Sequence, residues 1–472
     1  AVSFGWSIEL GGMDGFIDEL WVREKVRGRG MGSEALLLLL KTLKESGLNA
    51  MVNGRSRIWG TTKEVPGGVS YENLAILAAF VFLYSLVSGG LEKTLFNGAV
   101  VFMAFGLLLG PLGLGALTLE VDAELLSTLA ELALAMVLFT DASNANLREL
   151  KHSFKIPQKL LLIGLALTIL LGFVTGYLLF DGLALLEIAL IATMLAPTDA
   201  ALGKAVVTNE AVPSNIREGL NVESGLNDGI CVPILFIFLA LASSTGAEGS
   251  TSMLALKLVV EAIGIGAAIG AGLTFLAVRL FPYCAERGWV TETWQQLSVP
   301  ALAVTCFAVA QWLGGSGFIA CFVGGMLYGK LASKHKHTFL LAAEGIGDTL
   351  ALITWVIFGT AVVGQSLDSF SWEVVVYALL SLTLIRMLPV FLVLKGMKLS
   401  TDEKLFMGWF GPRGLASIVF AVIVLNENLP GGHTISMTVV CTIILSVIGH
   451  GISANPLVAA LGARLSRSAG TC

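Results

Sequence analysis

One short segment of the chain concentrates polar chemistry inside an otherwise apolar stretch. It reads Glu223-Ser224-Gly225-Leu226-Asn227-Asp228. At helical spacing Ser224 and Asp228 share one face, and Glu223 and Asn227 share the adjacent face. Hard cations prefer oxygen ligands, so the first face offers a hydroxyl and a carboxylate to a small cation. The second face offers a carboxylate and an amide that need another partner.

Two proline-containing interruptions must position this segment. The first reads Ala196-Pro197-Thr198-Asp199, and the second reads Phe410-Gly411-Pro412-Arg413-Gly414. Proline removes a backbone donor and clashes with the preceding turn, so each helix should break there. Broken helices in corresponding positions of two inverted halves indicate a transport site where the halves meet. Asp199 lies at the first break. Arg413, at the second, needs a buried carboxylate, and Glu223 is the predicted partner, which leaves Asp228 for a cation.

The composition indicates what surrounds these residues. The chain has 472 residues, of which 55% are hydrophobic and 13% charged, and its mean hydropathy is +0.83. Soluble proteins carry roughly 25% charged residues, so this chain could not cover its surface in water. Lipid is therefore the expected solvent. A soluble enzyme and a nucleic-acid-binding protein are excluded, and the net charge of −5 does not indicate polyanionic partners.

Residues 73–461 contain thirteen apolar segments, and a bilayer span takes roughly 20 residues. We therefore predict an all-α polytopic membrane protein of about 13 transmembrane helices, with inverted repeats and two broken helices that cross at mid-membrane. The spans that carry the polar residues are the third (125–142), fifth (183–206), sixth (215–243) and twelfth (405–425).

Loop charges predict the orientation. If the loop 148–159 is cytoplasmic, alternation places seventeen Lys and Arg residues on that side and only Lys257 on the other. This positive-inside bias predicts a multi-pass protein of the cell (inner) membrane with its N-terminus outside. A short tail, 462–472, would then be cytoplasmic.

Other ionisable groups carry weaker predictions. Asp141 ends the third span, where it could line the cytoplasmic entrance or lie at the interface without a role. Glu131, Asp348 and Arg386 fit packing ion pairs as well as a transport pathway. The five histidines and six cysteines are assigned no role.

The N-terminal residues have a different character. Residues 16–22 alternate like a strand, Ser33 to Ser46 fits a helix, and a Gly-rich turn lies between them. Such a turn at a helix N-terminus suits a pyrophosphate. Residues 1–55 resemble a partial GNAT-type N-acetyltransferase, in which an acetyl-CoA loop would consist of Arg27, Gly28, Gly30 and Gly32. Neighbouring parts of that fold are missing, so we expect a fragment that does not function. Residues 56–72 are predicted to be a linker.

The membrane residues suggest a mechanism. Desolvation favours the neutral form of a buried carboxylic acid, so a cation that binds Asp228 must displace a proton. Competition between the two for one carboxylate is by itself antiport. No nucleotide-binding motif appears, so an ion gradient is the expected energy source.

The motifs Pro-Thr-Asp, Glu-Ser-Gly-Leu-Asn-Asp and Gly-Pro-Arg-Gly resemble those of the NhaP/NHE-type cation:proton antiporters, over residues 73–461. The resemblance implies that Ser224 and Asp228 bind the ion and that Thr198 and Asp199 contribute. It implies that Glu223 and Arg413 pair near Asn227, and that exchange is electroneutral. It also implies a homodimer, contact with membrane lipid and no cofactor.

Several alternatives remain open at this stage. The expected exchange is Na⁺ for H⁺, with K⁺ or Li⁺ as other possible cations and a K⁺/H⁺ antiporter of the same fold as the nearest alternative. A channel would share the polar residues but pass net current. An acetyl-CoA-dependent acetyltransferase activity of the N-terminal segment is the distant alternative.

Overall fold

The fold is described from a computed structural model of the chain. The structure describes residues 2–7, 12–17, 50–53, 56–60, 71–91, 98–117, 123–144, 155–199, 202–207, 209, 211–243, 249–332, 336–366 and 369–469. The predicted acetyl-CoA loop, Arg27 to Gly32, and the predicted helix from Ser33 to Ser46 lie outside these residues.

The chain divides into two units, of which the first comprises residues 1–74 and 120–122. It contains a four-stranded sheet of β1 (Val2–Ser7), β2 (Gly12–Ile17), β3 (Ala50–Asn53) and β4 (Ser56–Gly60). The strand order is 1-2-3-4; β2 and β3 are parallel and the outer pairs antiparallel. The linker predicted over 56–72 is therefore wrong for residues 56–60, because their pairing with β3 makes them part of the sheet.

The second unit is helical. Its helices are α1 (Tyr71–Leu91), α2 (Gly98–Leu109), α3 (Ala123–Asn144), α4 (Lys155–Leu179), α5 (Leu185–Met194), α6 (Lys204–Val207), α7 (Ser214–Ser243), α8 (Gly249–Glu286), α9 (Glu292–Trp312), α10 (Gly317–Leu331), α11 (Lys336–Ile357), α12 (Trp372–Leu382), α13 (Leu384–Val393), α14 (Thr401–Trp409), α15 (Leu415–Asn426) and α16 (Gly432–Ala469). A π-helical turn interrupts α4 at Leu160–Gly164, and another, Phe358–Val363, follows α11.

The helical unit has the surface of a membrane protein. Within the described residues, seven helical stretches are long and apolar enough to cross a bilayer, and α2, α5, α10 and α15 are shorter apolar helices. Large apolar side chains such as Leu86, Leu178 and Trp312 are exposed along these helices. An apolar surface of this extent suits lipid. Every predicted span contains helix, and the all-α membrane fold is confirmed, whereas the count of thirteen crossings stays a prediction.

Small residues let α10 pack closely between its neighbours. A Cβ built on Gly270 of α8 would lie 2.2 Å from the Ala320 carbonyl oxygen, so the two backbones are nearly in contact. On another face of α10, a Cβ on Gly325 would lie 2.4 Å from the Phe139 carbonyl oxygen of α3. Small residues at these positions are typical of helix interfaces in membranes. They hold α3 and α8 against α10, which in turn contacts α7 through Phe322 and Gly229.

Three helices of the unit are discontinuous. The breaks between α5 and α6 and between α14 and α15 lie at the two predicted proline motifs. A third break, at Thr383 between α12 and α13, was not predicted, and its backbone leaves the helical region with φ −111° and ψ −94°. Arg386 follows this break by three residues.

The close contact at Gly270 provides a test of the packing. Gly270→Ala should lower the melting temperature in detergent, because the added methyl group forces α8 away from α10, and overpacking of this kind costs about 1–3 kcal/mol. Gly272→Ala on the same helix is the matched control, since nothing lies within 4 Å of its built Cβ. The control should melt at the wild-type temperature or above. Equal melting temperatures for the two variants would contradict this packing.

Candidate functional site

The two proline breaks contact each other directly. The Asp199 backbone N–H donates to the Pro412 carbonyl oxygen at 2.8 Å, and the Ser417 hydroxyl donates to the Met194 carbonyl oxygen at 2.8 Å. These two hydrogen bonds pair polar groups of the first break with polar groups of the second. The broken helices cross at their breaks, as the sequence predicts.

Asp199 caps helix ends on both sides of the crossing. Its Oδ1 accepts the Leu202 backbone N–H at 3.1 Å, and its Oδ2 accepts the Leu415 backbone N–H at 2.9 Å. Leu415 is the first residue of α15, so the carboxylate lies at the positive end of that helix dipole. A Cβ on Gly414 would lie only 1.9 Å from Asp199 Oδ2, so glycine is required there for the carboxylate to reach α15.

Arg413 makes the converse contact. Its Nη1 donates to the carbonyl oxygens of Ala196 at 2.8 Å and Pro197 at 2.9 Å, and its side chain is fully buried. These carbonyls follow α5, whose end carries partial negative charge, so the guanidinium neutralises groups that the first break leaves without helical partners. The acid of the first break thus caps the second helix, and the cation of the second break caps the first.

The predicted direct pair of Glu223 and Arg413 is wrong in this structure. Glu223 instead accepts two hydrogen bonds from Arg386, at 2.6 Å from Nη1 and 2.8 Å from Nη2. Both side chains are buried, and the contact is a bidentate ion pair. The physical reason is that the break at Thr383 starts α13 just before Arg386, which brings this guanidinium to Glu223, whereas Arg413 binds the carbonyls of the first break through Nη1.

Arg386 is a site residue whose partner the sequence analysis did not predict, although a packing ion pair was one of its two interpretations. Its one signal was that, besides Arg413, it is the only Lys or Arg well inside a predicted span. Its guanidinium also lies against the second break, since a Cβ on Gly411 would lie 2.5 Å from Arg386 Nε. The ion pair therefore ties α7 and α13 to the crossing.

Thr198 connects the first break to the polar face of α7. The Ser224 hydroxyl donates to the Thr198 carbonyl oxygen, and the Asn227 amide donates to Thr198 Oγ1 at 2.8 Å. Ser224 and Asn227, which the sequence places on adjacent faces, thus both reach one residue. Each of these side chains is buried.

Asp228 is the acid that the site leaves uncompensated. It is 7% exposed, and its Oδ1 has no hydrogen-bond partner among the residues that the structure describes. The neighbouring Asn227 Oδ1 is likewise without a donor there. The charge of Asp228 interacts with those of Asp199 and Asp141 as well as with that of Arg413. A buried carboxylate oxygen without a donor requires a proton or a cation.

A narrow cavity opens beside these groups. Its lining includes Thr198, Asp199 and Ser224 from the polar face and Phe410 and Pro412 from the second break. The predicted cation-binding residues Asp199, Thr198 and Ser224 therefore come together around one space, and Asp228 lies one helical turn beyond Ser224 on α7.

Asp141 of α3 lies against Gly225 of α7 and interacts electrostatically with Asp199 and Asp228. A Cβ on Gly225 would lie 3.2 Å from Asp141 Cβ, so α3 approaches the polar segment at this point. Asp141 also interacts electrostatically with Asp348 and Glu344 of α11. Its predicted role at the cytoplasmic entrance stays a prediction.

The fold and the site together define a multi-pass helical membrane protein whose broken helices cross at a buried charged centre. The chain belongs to the sodium/hydrogen exchanger family, whose transmembrane domain matches residues 76–460.

Similar proteins agree with this assignment. The K(+)/H(+) antiporter NhaP2 of Shewanella sp. (strain ANA-3) is 24% identical over 380 residues, which are 80% of this chain and 64% of that protein. The K(+)/H(+) antiporter NhaP of Alkalimonas amylolytica is 25% identical over 82% of this chain and 66% of its own length. The chain thus spans about two thirds or less of the length of these relatives.

A solved structure has the same fold. The sodium proton antiporter MjNhaP1 from Methanocaldococcus jannaschii, determined at pH 8, superposes with a TM-score of 0.67 at 22% identity. The match covers 83% of this chain and 98% of that chain.

A double-mutant comparison tests the ion pair. Arg386→Met should lower the free energy of unfolding by about 3–5 kcal/mol, because it leaves Glu223 as a buried unpaired charge. Adding Glu223→Gln should recover part of that loss, as measured by unfolding in detergent. In Arg413→Met, the same Glu223→Gln change should recover nothing. If Glu223→Gln restored stability in the Arg413→Met background but not in the Arg386→Met background, the pairing of Glu223 with Arg413 would be supported instead.

Proposed function

We propose that the chain is a secondary active antiporter that exchanges a monovalent cation for H⁺ at Asp228. The observation that carries this proposal is the buried Asp228 oxygen, which lacks a donor among the described residues and lies beside the crossing of two broken helices. The family to which the chain belongs supports it.

The exchange rests on competition for one carboxylate. In a low-dielectric site a carboxylate is stable when it is protonated or when it holds a cation, and the two states exclude each other. The Ser224 hydroxyl donates a hydrogen bond to the Thr198 carbonyl oxygen, so the lone pairs of the hydroxyl oxygen are available to a cation on the same face as Asp228. Asp199 and Thr198 would complete the oxygen ligands, because a carboxylate or hydroxyl oxygen that accepts one hydrogen bond retains a lone pair.

The charges at the crossing favour one-for-one exchange. The central ionisable groups are three acids and two arginines: Asp199, Glu223, Asp228, Arg386 and Arg413. Glu223 and Arg386 neutralise each other, and Asp199 and Arg413 are opposite charges that cap helix ends. One negative charge then remains in this set, on Asp228, and Asp141 of α3 is a further acid nearby that lies outside the set. A single proton or a single monovalent cation neutralises Asp228, so the set carries the same net charge in both bound states.

Na⁺ is the proposed cation, and K⁺ is the second candidate. A site of carboxylate, hydroxyl and carbonyl oxygens suits either alkali cation. The solved structure of similar fold is titled a sodium proton antiporter, whereas the relatives from Shewanella and Alkalimonas are named K(+)/H(+) antiporters.

We propose a location and an orientation in the membrane from the charge pattern of the loops. We place it in the cell membrane among lipids, with the N-terminus outside and the C-terminus in the cytoplasm, because Lys and Arg are concentrated in alternate loops. We also propose a homodimer, on the resemblance to the antiporter family.

Asp228→Asn tests the site. The substitution keeps the shape of the side chain and removes the charge, so cation-dependent proton flux in proteoliposomes should fall to the background level. Asp181→Asn is the control, since Asp181 lies in an exposed turn outside the site. The control should retain wild-type flux. Flux that persists in Asp228→Asn would remove this residue from the mechanism.

Voltage distinguishes the proposed exchange from a channel or an electrogenic exchange. With one charge moved each way, clamping the membrane potential with K⁺ and valinomycin should leave the rate of Na⁺-driven proton flux unchanged. A parallel assay with K⁺ or Li⁺ as the driving cation, without valinomycin, identifies the substrate. A rate that rises when the potential is clamped at zero would show net charge movement and refute the one-for-one stoichiometry.

A further inference from the structure

A buried histidine on α16 contacts the second break from outside the ion site. His450 is 1% exposed, and its Nε2 lies 2.9 Å from the Trp409 carbonyl oxygen at the end of α14. Its Nδ1 lies 2.9 Å from the carbonyl oxygen and 3.2 Å from the hydroxyl oxygen of Ser446, one turn earlier on α16. The imidazole therefore reaches both its own helix and the break.

Ser446 binds the other end of the same break. The Arg413 backbone N–H donates to Ser446 Oγ at 2.7 Å. Both ring nitrogens of His450 lie within hydrogen-bond distance of a carbonyl oxygen, Nε2 of Trp409 and Nδ1 of Ser446, so the ring bridges the end of α14 and α16.

These contacts satisfy backbone groups that a broken helix leaves exposed. Trp409 is the last residue of α14, and its carbonyl oxygen accepts the Gly411 backbone N–H at 2.8 Å within the break and also lies 2.9 Å from His450 Nε2. The Arg413 N–H precedes the first turn of α15. Such groups are costly inside a membrane unless protein satisfies them. Ser446 and His450 are four residues apart on α16, so one helix face holds both ends of the interruption at a set separation.

The path from this face to the ion site is short. The backbone N–H of Arg413 is bound by Ser446, while its side chain holds the Ala196 and Pro197 carbonyls. The next residue, Thr198, accepts hydrogen bonds from Ser224 and Asn227 beside Asp228. A displacement of Arg413 would therefore move an oxygen-bearing segment of the site.

We propose that His450 and Ser446 are positioning residues that set the geometry of the cation site through the second break. The proposal rests on the proposed function, because the site whose geometry they set is the one assigned to the cation. Neither side chain touches the cation. They act through the Trp409 carbonyl and the Arg413 amide.

The test is the cation KM of proton flux in proteoliposomes. His450→Leu and Ser446→Ala should each raise it about five- to tenfold, the factor expected when one buried hydrogen bond is lost. His450→Gln should stay within about twofold of wild type, because its amide provides a donor and an acceptor. Rescue by Gln separates positioning from a need for packing volume alone, which Leu also meets in part.

Ser436→Ala is the matched control. Ser436 is a buried serine of the same helix whose hydroxyl donates to the Gly432 carbonyl oxygen, one turn away and outside the break. Its KM should equal that of wild type. If His450→Leu does not fold, the comparison of Ser446→Ala with Ser436→Ala decides. Equal KM values for these two variants, or no rescue by Gln, would overturn the proposal.

A stability measurement separates failure of this proposal from failure of the proposed function. Wild-type protein without cation-dependent proton flux would refute the antiport. The contacts of His450 and Ser446 with the second break would then be tested by the melting temperatures of His450→Leu, Ser446→Ala and the double variant. Shared contacts predict a double variant less destabilised than the sum of the two shifts. Additive shifts in melting temperature would refute a joint role of these two residues at the break, whether or not the protein transports ions.

Discussion

The reciprocal capping of two broken helices is the interaction on which the rest of the site depends. Each break leaves backbone groups and a helix dipole unsatisfied in a medium without water. Asp199, from the first break, accepts the N–H at the start of α15, and Arg413, from the second, binds the carbonyls that follow α5. Without these reciprocal contacts, each break would leave buried polar backbone groups unsatisfied. With them, the crossing of the two helices is a buried polar centre.

The other buried charges follow from this arrangement. Arg413 Nη1 binds carbonyl oxygens of the first break, and Glu223 is neutralised by Arg386 through a bidentate contact. Asp199 accepts backbone N–H groups with both carboxylate oxygens, so its charge is stabilised by the start of α15 and by Leu202. Asp228 is then the acid left without compensation. Its availability to a proton or a cation is a consequence of how the neighbouring charges are satisfied.

Much of this organisation could be predicted from sequence. Hydrophobic segments, the two proline interruptions and the polar face of α7 are local properties, and all of them appear at the expected residues. The sequence also indicated that Arg413 must be neutralised, because a guanidinium stays charged when buried. Its partner could not be deduced. Backbone carbonyls, which every residue carries, compete with carboxylates for an arginine, and composition does not distinguish them.

The sequence by itself determined that the chain spans a membrane, where two of its helices break and which residues carry charge into the apolar interior. These features depend on desolvation costs and proline geometry, which act residue by residue. Only the tertiary structure decided which charges meet. Glu223 and Arg386 are 163 residues apart in sequence, and the contact between them depends on the packing of α7 against α13 and on the unpredicted break at Thr383. His450 likewise acquires a role only because α16 passes beside the ends of another helix. Which residues come into contact depends on their distances in the folded chain, and a local sequence pattern does not contain those distances.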